Sequence, residues 1–488
     1  MLKSLFRFLF ARWWKTPQGT VVLPAGDLPP QHGTLGQALR QAGRPAEAIM
    51  ELRRAWALAP DAPGVLRELV TALIEYDMCD KALAVARQAL ERDPASHEAM
   101  TALGLAHQKL HDPDAALLAY EAALRVRPGD AGLHDARGAI FHELGRVDEA
   151  LAEYDRALSL RPEFPLAAFH RALARLQIQD FERGWADFEM RLKAADQRSH
   201  APLAPRWDGA LLAGRTLLVR REQGLGDEIM FASMLPEVIA AAGHCIIECD
   251  PRLRALFARS FPRATVFGAI PDRSLPGPAA ARKIDLEIDT GSLPLYLRRS
   301  AADFPRHEGY LVADPVRVAR WRARLAQLGP GPKVGISWAG GVRKTHRALR
   351  SIALPELSPV LGAGGAKFVS LQYTPEAGAE VGALEADHGI RIEHWPEAIA
   401  DYDETAALVC ALDLVVSVCT SLVHLCGALG RPVWVMAPFS PSWRYGFSGE
   451  SMPWYPSVKL FRQPAYGAWR PVLEAVAAEL DARAAPAA

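Results

Sequence analysis

Small and apolar residues recur with a period of 34 residues along positions 31–198. Small side chains occupy one phase of this period, at Ala48, Ala82, Ala116, Ala150 and Gly184. Proline occupies a later phase, at Pro60, Pro94, Pro128 and Pro162. A small side chain lets two helices approach closely, and a proline ends a helix because it lacks the backbone N–H. The pattern therefore predicts five helical pairs stacked into an α-solenoid over residues 31–198, with a concave face suited to a protein partner.

The pattern changes after Gly209, where short apolar runs alternate with helical patterns such as Glu228–Ala242. The first set of predicted strands is Thr216–Val219, Cys245–Glu248, Thr265–Phe267 and Ile284–Ile288. The second set is Val334–Trp338, Phe368–Leu371, Ile390–Ile392, Leu414–Val418, Val433–Met436 and Val458–Phe461. This alternation predicts two Rossmann-like, doubly wound α/β halves, 199–329 and 330–488, that face each other across a cleft. A closing C-terminal helix is expected in the second half.

Residues 1–15 form a basic segment ahead of a linker at 16–30, which contains several prolines. On a helical wheel, apolar residues that include Phe6 and Trp13 share one face, and four Lys or Arg side chains come without an acidic one. Such a helix suits a membrane interface. The alternative is a helix that covers the apolar end of the solenoid.

The composition argues against several classes of function. The 488 residues carry 56 basic and 56 acidic side chains, so no net field favours nucleic acid. No apolar run reaches the ~20 residues of a membrane-spanning helix. The six cysteines lack paired CxxC spacing, which predicts no metal site and a reducing, cytoplasmic compartment.

The first candidate for chemistry is the loop that holds Gly224, Gly226 and Asp227, between a predicted strand and a helix. The glycines let the backbone approach a substrate closely. Asp227 at the helix start could accept a proton from a hydroxyl. The alternative is that Asp227 only caps the helix.

The second candidate follows the first strand of the second half. Trp338–Gly341 leads into a cationic stretch with Arg343, Lys344, His346 and Arg350, and no acidic residue occurs between Lys333 and Pro355. This loop could hold a diphosphate. The alternative is a solvated basic loop.

The third candidate is a strand–turn–helix unit over 413–436. Thr420 and Ser421 lie at the helix start, where unpaired N–H groups suit a phosphate, or where Thr420 is a plain N-cap. His424, one turn later, faces either the cleft or the core. The aromatic loops 438–444 and 454–456 could stack a base or line an acceptor site.

These stretches together resemble a known group. The 34-residue period resembles the tetratricopeptide repeat. The segments EQGLGDEIMFASMLP, VGISWAGGVRKTHRALRSI, FVSLQ, DETAALVCALDLVVSVCTSLVHLCGALGRPVWVM, PFSPSWRYG and SMPWYPSVKLFRQ resemble the GT-B glycosyltransferase module of bacterial tetratricopeptide proteins. That module is similar to heptosyltransferases and, more distantly, to O-GlcNAc transferase.

The resemblance implies inverting, metal-independent transfer from a nucleotide-sugar, without a cofactor. It implies Asp227 as the base, Lys344 as a phosphate-binding residue, and Thr420 and His424 as residues that meet the donor. The group usually has aspartate where this chain has Cys419.

The leading hypothesis is therefore a cytoplasmic glycosyltransferase that modifies Ser or Thr of a protein held by the solenoid. Flagellin is one acceptor that the resemblance implies. Donor binding is assigned to Gly224, Gly226, Lys344, Arg350, Thr420, Ser421 and His424. The alternatives are a tetratricopeptide scaffold without turnover, and a transferase with a lipid or saccharide acceptor that contacts the inner membrane through residues 1–15.

Overall fold

A computed structural model describes residues 14–16, 19–21, 29–194, 202–270, 275–341 and 347–484. The chain divides into two compact units, Met1–His170 and Arg171–Ala488. The sequence pattern predicts this division after residue 198 instead. The difference concerns the fifth helical pair, whose second helix belongs to the second unit.

The N-terminal segment is described only in part. Strand β1 (Trp14–Thr16) pairs antiparallel with β2 (Gly19–Val21). Trp14 and Lys15 therefore lie in a strand, and the helix expected over residues 2–15 does not extend to them. Residues 1–13 lie outside the described part of the chain. The expected linker at 16–30 holds β2 and the start of the first helix.

The first unit is built from helical pairs. Their helices are α1 (Pro29–Gln41), α2 (Pro45–Leu58), α3 (Val65–Glu75), α4 (Cys79–Arg92), α5 (His97–Lys109), α6 (Pro113–Val126), α7 (Ala131–Glu143) and α8 (Val147–Leu160). The alanines of the 34-residue series at 48, 82, 116 and 150 are fully buried, and α2, α4, α6 and α8 each end two residues before a proline. Gly104 shows why small residues recur: a Cβ there would lie 2.5 Å from the Tyr120 ring.

The fifth pair, α9 (Pro165–Gln177) and α10 (Phe181–Phe188), crosses the division between the units. Trp185 of α10 packs edge-on against Trp443 at 5.4 Å between ring centroids and lies 6.3 Å from Trp454. Its indole N–H donates to the carbonyl of Arg298 at 2.8 Å. These aromatic contacts place α10 in the core of the second unit, ahead of the short helix α11 (Arg191–Ala194).

The first sheet of the second unit has four parallel strands in the order β5-β4-β3-β6. The strands are β3 (Thr216–Arg220), β4 (His244–Cys249), β5 (Thr265–Gly268) and β6 (Leu286–Asp289). Its helices are α12 (Leu225–Phe231), α13 (Leu235–Ala241), α14 (Arg254–Ser260), α15 (Gly277–Ala280) and α16 (Pro294–Leu297). The single helix expected over 228–242 is wrong. α13 begins at Leu235 after a 3-10 turn, with Pro236 in its first turn, because proline cannot donate within a continuous helix.

Helix α17 (Pro315–Ala326) leads to the second sheet, whose six strands are all parallel in the order β12-β11-β10-β7-β8-β9. The strands are β7 (Lys333–Ser337), β8 (Lys367–Ser370), β9 (Ile392–His394), β10 (Leu414–Val418), β11 (Val433–Ala437) and β12 (Val458–Arg462). The helices are α18 (Ser358–Leu361), α19 (Ala377–His388), α20 (Pro396–Ala400), α21 (Tyr402–Ala411), α22 (Ser421–Ala428) and α23 (Trp469–Ala484). The expected C-terminal helix is present as α23.

Both sheets reverse their strand order once, beside β3 in the first sheet and between β7 and β10 in the second. The crevice beyond the carboxyl ends of strands at such a reversal is where doubly wound sheets bind ligands. The loops after β3, β7 and β10 are the three that the sequence singles out. Among the described residues, no helix combines the length and the apolar character needed to cross a membrane.

Candidate functional site

The first turn of α12 and the first turn of α22 touch. A Cβ added at Gly226 would lie 3.0 Å from Cδ2 of His424 and 3.3 Å from Cα of Ser421. A methyl group at this position would fit only if its neighbours shifted by a few tenths of an ångström. The contact brings the loop after β3 of the first sheet against the loop after β10 of the second.

Asp227 closes the turn at the start of α12 and also carries an ion pair. Its Oδ2 accepts a hydrogen bond from the Gly224 N–H at 3.2 Å. Its Oδ1 accepts from the Arg444 guanidinium, which comes from the other half of the unit. Both side chains are 17% exposed. The N-cap of α12 is Gly224, and Asp227 at the third helical position accepts from the N–H of that cap. The sequence pattern did not identify the charged partner, Arg444.

Thr420 is the N-cap of α22. Its side-chain oxygen accepts from the Leu422 N–H at 3.2 Å, so the capping alternative is confirmed. A Cβ at Gly340 would lie 2.2 Å from Cγ2 of Thr420. The glycine-rich loop after β7 is thereby held directly against the turn after β10.

Gln372, which the sequence did not single out, fixes that glycine-rich loop. Its Oε1 accepts from Ser337 Oγ and from the N–H groups of Trp338 and Ala339, all at 3.0 Å. Its Nε2 donates to the Ala339 carbonyl at 2.8 Å. Gln372 is almost completely buried. The sequence does contain a sign of this role: Gln372 is an amide at the end of the mainly apolar segment FVSLQ. A polar group buried there requires hydrogen-bond partners.

The cationic stretch is described in part. Lys344, Arg343 and His346 lie outside the described residues, so the phosphate contact expected of Lys344 stays a prediction. Arg350 is half-buried at the end of a 3-10 turn, Arg347–Arg350. Its positive charge lies close enough to Cys419 to lower the pKa of the thiol, though less than burial raises it.

Cys419 is a buried, neutral residue. It is 3% exposed, and burial raises the pKa of its thiol to about 12. A neutral thiol does not bind a sugar hydroxyl or a cation as a carboxylate does. This position therefore supplies no negative charge to the site.

His424 belongs to the core, as the alternative for it proposed. Its Nδ1 lies 3.3 Å from the Tyr455 hydroxyl. Burial, reinforced by the Arg444 charge, lowers the pKa of His424 to about 3. The imidazole is neutral and a weak proton acceptor.

Glu228, next to Asp227, is a buried carboxyl group that sequence reasoning missed. Its Oε2 accepts from the Asp250 N–H at 2.7 Å and its Oε1 from Arg221 Nε at 2.9 Å. Burial raises the pKa of Glu228 to about 7. The residue joins the loops after β3 and β4 to the start of α12.

Three aromatic side chains of the loops expected to stack a base or line an acceptor site lie in the core, whereas Phe439 is half-buried. Trp443, Trp454 and Tyr455 are buried, and the two tryptophans pack around Trp185. In the part of the chain that the structure describes, no three His, Cys, Asp or Glu side chains lie together as metal ligands would.

Comparisons with known proteins identify the family of the repeats and a relative that matches most of the chain. Family profiles described as tetratricopeptide repeat match residues 39–104, 101–165 and 136–197, which confirms the interpretation of the 34-residue period. Protein FlbA of Caulobacter vibrioides is 32% identical over 464 residues, which cover 91% of this chain and 72% of FlbA.

Solved structures of tetratricopeptide proteins are similar to the repeats. TTC0263, a thermophilic protein of Thermus thermophilus, is 24% identical, with a TM-score of 0.32, and the match covers 35% of this chain and 92% of that one. YrrB, described as having an unusual peptide-binding site, is 16% identical, with a TM-score of 0.25, over 35% of this chain and 88% of its own.

Proposed function

We propose that this chain, which belongs to the family of Protein FlbA, is a glycosyltransferase of the GT-B type, as the resemblance of its second unit implies. It transfers a sugar from a nucleotide-sugar to a Ser or Thr hydroxyl of a protein that the repeats hold. The reaction takes place in the cytoplasm, between the two doubly wound halves of the second unit.

One observation carries this proposal. The first turns of α12 and α22 are in contact at Gly226 and Ser421. A carboxylate, Asp227, is thereby next to a helix start whose N–H groups and dipole favour a phosphate. A proton acceptor beside an anion site is the arrangement that transfer from a nucleotide-sugar requires.

The proposed step is a single displacement. Asp227 takes the proton of the acceptor hydroxyl while its oxygen bonds to the anomeric carbon of the sugar. The bond from that carbon to the diphosphate oxygen breaks, and the nucleoside diphosphate leaves with inversion. The first turn of α22, Arg350 and Lys344 stabilise the negative charge that develops on the leaving group.

The repeats supply the acceptor. Concave faces of repeat solenoids bind extended segments of other proteins. Flagellin is the acceptor that we propose first, from the resemblance alone. Contact of residues 1–15 with the inner membrane belongs to the same proposal.

A second candidate is a scaffold that binds a nucleotide-sugar without turnover. The buried and neutral Cys419 favours it, because a carboxylate is usual at that position in the group that the module resembles. In this case the repeats still bind a protein partner.

A panel of nucleotide-sugars and nucleoside diphosphates, screened for thermal stabilisation, tests the proposal. A ligand at 100 times its Kd should add ~2.7 kcal/mol to the free energy of unfolding. The donor found in this way is then offered, with a radiolabelled sugar, together with candidate acceptor proteins. Label transfer supports the enzyme, whereas binding without transfer supports the scaffold. Absence of stabilisation by every compound contradicts a nucleotide-sugar site.

A further inference from the structure

Arg444 forms an ion pair across the cleft with the proposed base. It lies in the 3-10 turn Trp443–Tyr445 that follows β11 in the second half, whereas Asp227 lies at the start of α12 in the first half. Its Nη1 donates to Ser442 Oγ at 2.5 Å, and its guanidinium lies 4.8 Å from the centre of the Trp443 ring. Its Nη2 donates to Asp227 Oδ1. The guanidinium is thus held on its own loop and directed at one carboxylate.

This ion pair opposes the role that Asp227 has in the proposed reaction. Oδ1 of Asp227 accepts from Arg444 and Oδ2 accepts from the Gly224 N–H, so both carboxylate oxygens already have a donor where the acceptor hydroxyl must approach. A mostly buried guanidinium, in turn, requires a negative partner. If Arg444 releases Asp227, its mostly buried charge is left unpaired unless another anion takes the place of Asp227.

That other anion has a position close by. Gly226, next to Asp227, contacts Ser421 in the first turn of α22. The charge of Arg444 is also close enough to His424, one turn along α22, to lower its pKa. Arg444 therefore lies beside the helix start where the diphosphate of the donor is expected.

We propose that Arg444 exchanges partners between Asp227 and the diphosphate of the bound donor. This inference rests on the proposed function, because it uses the same anion site. A guanidinium binds phosphate oxygens through paired N–H donors, as it binds a carboxylate. Donor binding then frees Asp227 to accept a proton, so the base becomes active only when a donor is present. Arg444 is a positioning residue for the base and a ligand of the leaving group.

Inorganic pyrophosphate, titrated calorimetrically into the full chain, tests the exchange without any sugar transfer. Asp227→Asn removes the competing charge and keeps an oxygen for the Gly224 N–H, so pyrophosphate should bind about tenfold more tightly. Arg444→Gln should weaken binding about tenfold. The double variant should bind pyrophosphate as weakly as Arg444→Gln does, because Asp227 and pyrophosphate compete only for Arg444.

Asp250→Asn is the matched control for a general charge effect. Asp250 lies at the same edge of the first sheet but pairs with Arg252, so its loss should leave pyrophosphate affinity nearly unchanged. Arg444→Lys replaces Arg444→Gln if the latter does not fold, and it should bind pyrophosphate more weakly than wild type. The exchange is overturned if Asp227→Asn binds no more tightly than wild type, or if its gain persists in the Arg444→Gln background. It is also overturned if pyrophosphate does not bind. If the protein transfers sugar but pyrophosphate affinity does not depend on Asp227 through Arg444, the exchange is wrong and the proposed function still holds.

Discussion

Gly226, in the first turn of α12, packs against the first turn of α22, where an added methyl group would be tight. Its neighbours across the contact, Cα of Ser421 and Cδ2 of His424, belong to the half of the unit that holds the second sheet. The glycine pattern in the sequence predicted a close approach of the backbone. It did not predict that the approach is to another helix, because that partner is distant along the chain.

We expect Gly226→Ala to separate the two helix starts and to destabilise the protein by about 1–3 kcal/mol, as overpacking does. Pyrophosphate binding should weaken with it. Gly224→Ala is the control, because a Cβ there would meet only Asp227 Oδ2 at an ordinary 3.5 Å. Calorimetry measures pyrophosphate binding and urea unfolding measures stability, and an equal loss of stability in the two variants would contradict the tight contact.

His424 gives a second expectation at this scale, on the dependence of stability on pH. Its pKa is lowered from 6.5 to about 3, mainly by burial, so the unfolded chain takes up a proton that the folded chain refuses. Its contribution is fully present above pH 6.5 and is lost as pH falls toward 3. At pH 5 the loss should be about 2 kcal/mol.

His424→Gln, compared with wild type at about pH 7.5 and pH 5 by urea unfolding, isolates this contribution. The other titrating groups, Glu228 among them, are common to both proteins. The variant should lose less stability between the two pH values than wild type does. An identical loss would show that His424 is not buried in its neutral form.

The loop after β7 shows what one side chain contributes to an element. Gln372 accepts three hydrogen bonds from this loop and its strand. Gln372→Leu leaves these buried donors without a partner, which should cost about 2–5 kcal/mol and weaken pyrophosphate binding. Thr374→Val is the control, since Thr374 meets Gln372 only at 3.4 Å. Similar stability of the two variants in urea would contradict this account.

The elements themselves were largely predictable. Runs of β-branched residues, such as Leu414–Val418, read as strands because both of their faces are buried, and the structure has that strand with the same bounds. The exceptions have local causes. Pro236 divides one expected helix, and the β1–β2 hairpin has strands of three residues, too short for a periodic pattern.

The site was predictable only in parts, because its pieces meet through contacts that no periodic pattern encodes. Asp227 and Thr420 follow strands and were found in this way. Arg444 and Asp227 are 217 residues apart, and only the contact between their two loops brings them together. The aromatic loops were misjudged for a related reason, since their partner Trp185 comes from the last repeat helix.

At the scale of the whole molecule, the two compact units divide the work in the proposed function. The proposal assigns the acceptor to the repeats and the donor to the second unit. Removal of residues 1–164, ahead of α9, should therefore abolish modification of the protein acceptor while pyrophosphate still binds within about threefold of wild type, a change of less than about 0.7 kcal/mol. Loss of acceptor modification and of pyrophosphate binding together would show that the repeats only keep the second unit folded.

The central claim is that Asp227 is the base of a transferase, and turnover of Asp227→Asn with the donor found by the thermal screen tests it most directly. The amide keeps the size of the side chain and the contact to the Gly224 N–H but cannot accept the proton, so the account predicts a fall in kcat of ~10²–10⁴. Donor binding should be at least as tight as in wild type. A variant that transfers sugar at nearly the wild-type rate would contradict the account and leave Asp227 as the cap of α12.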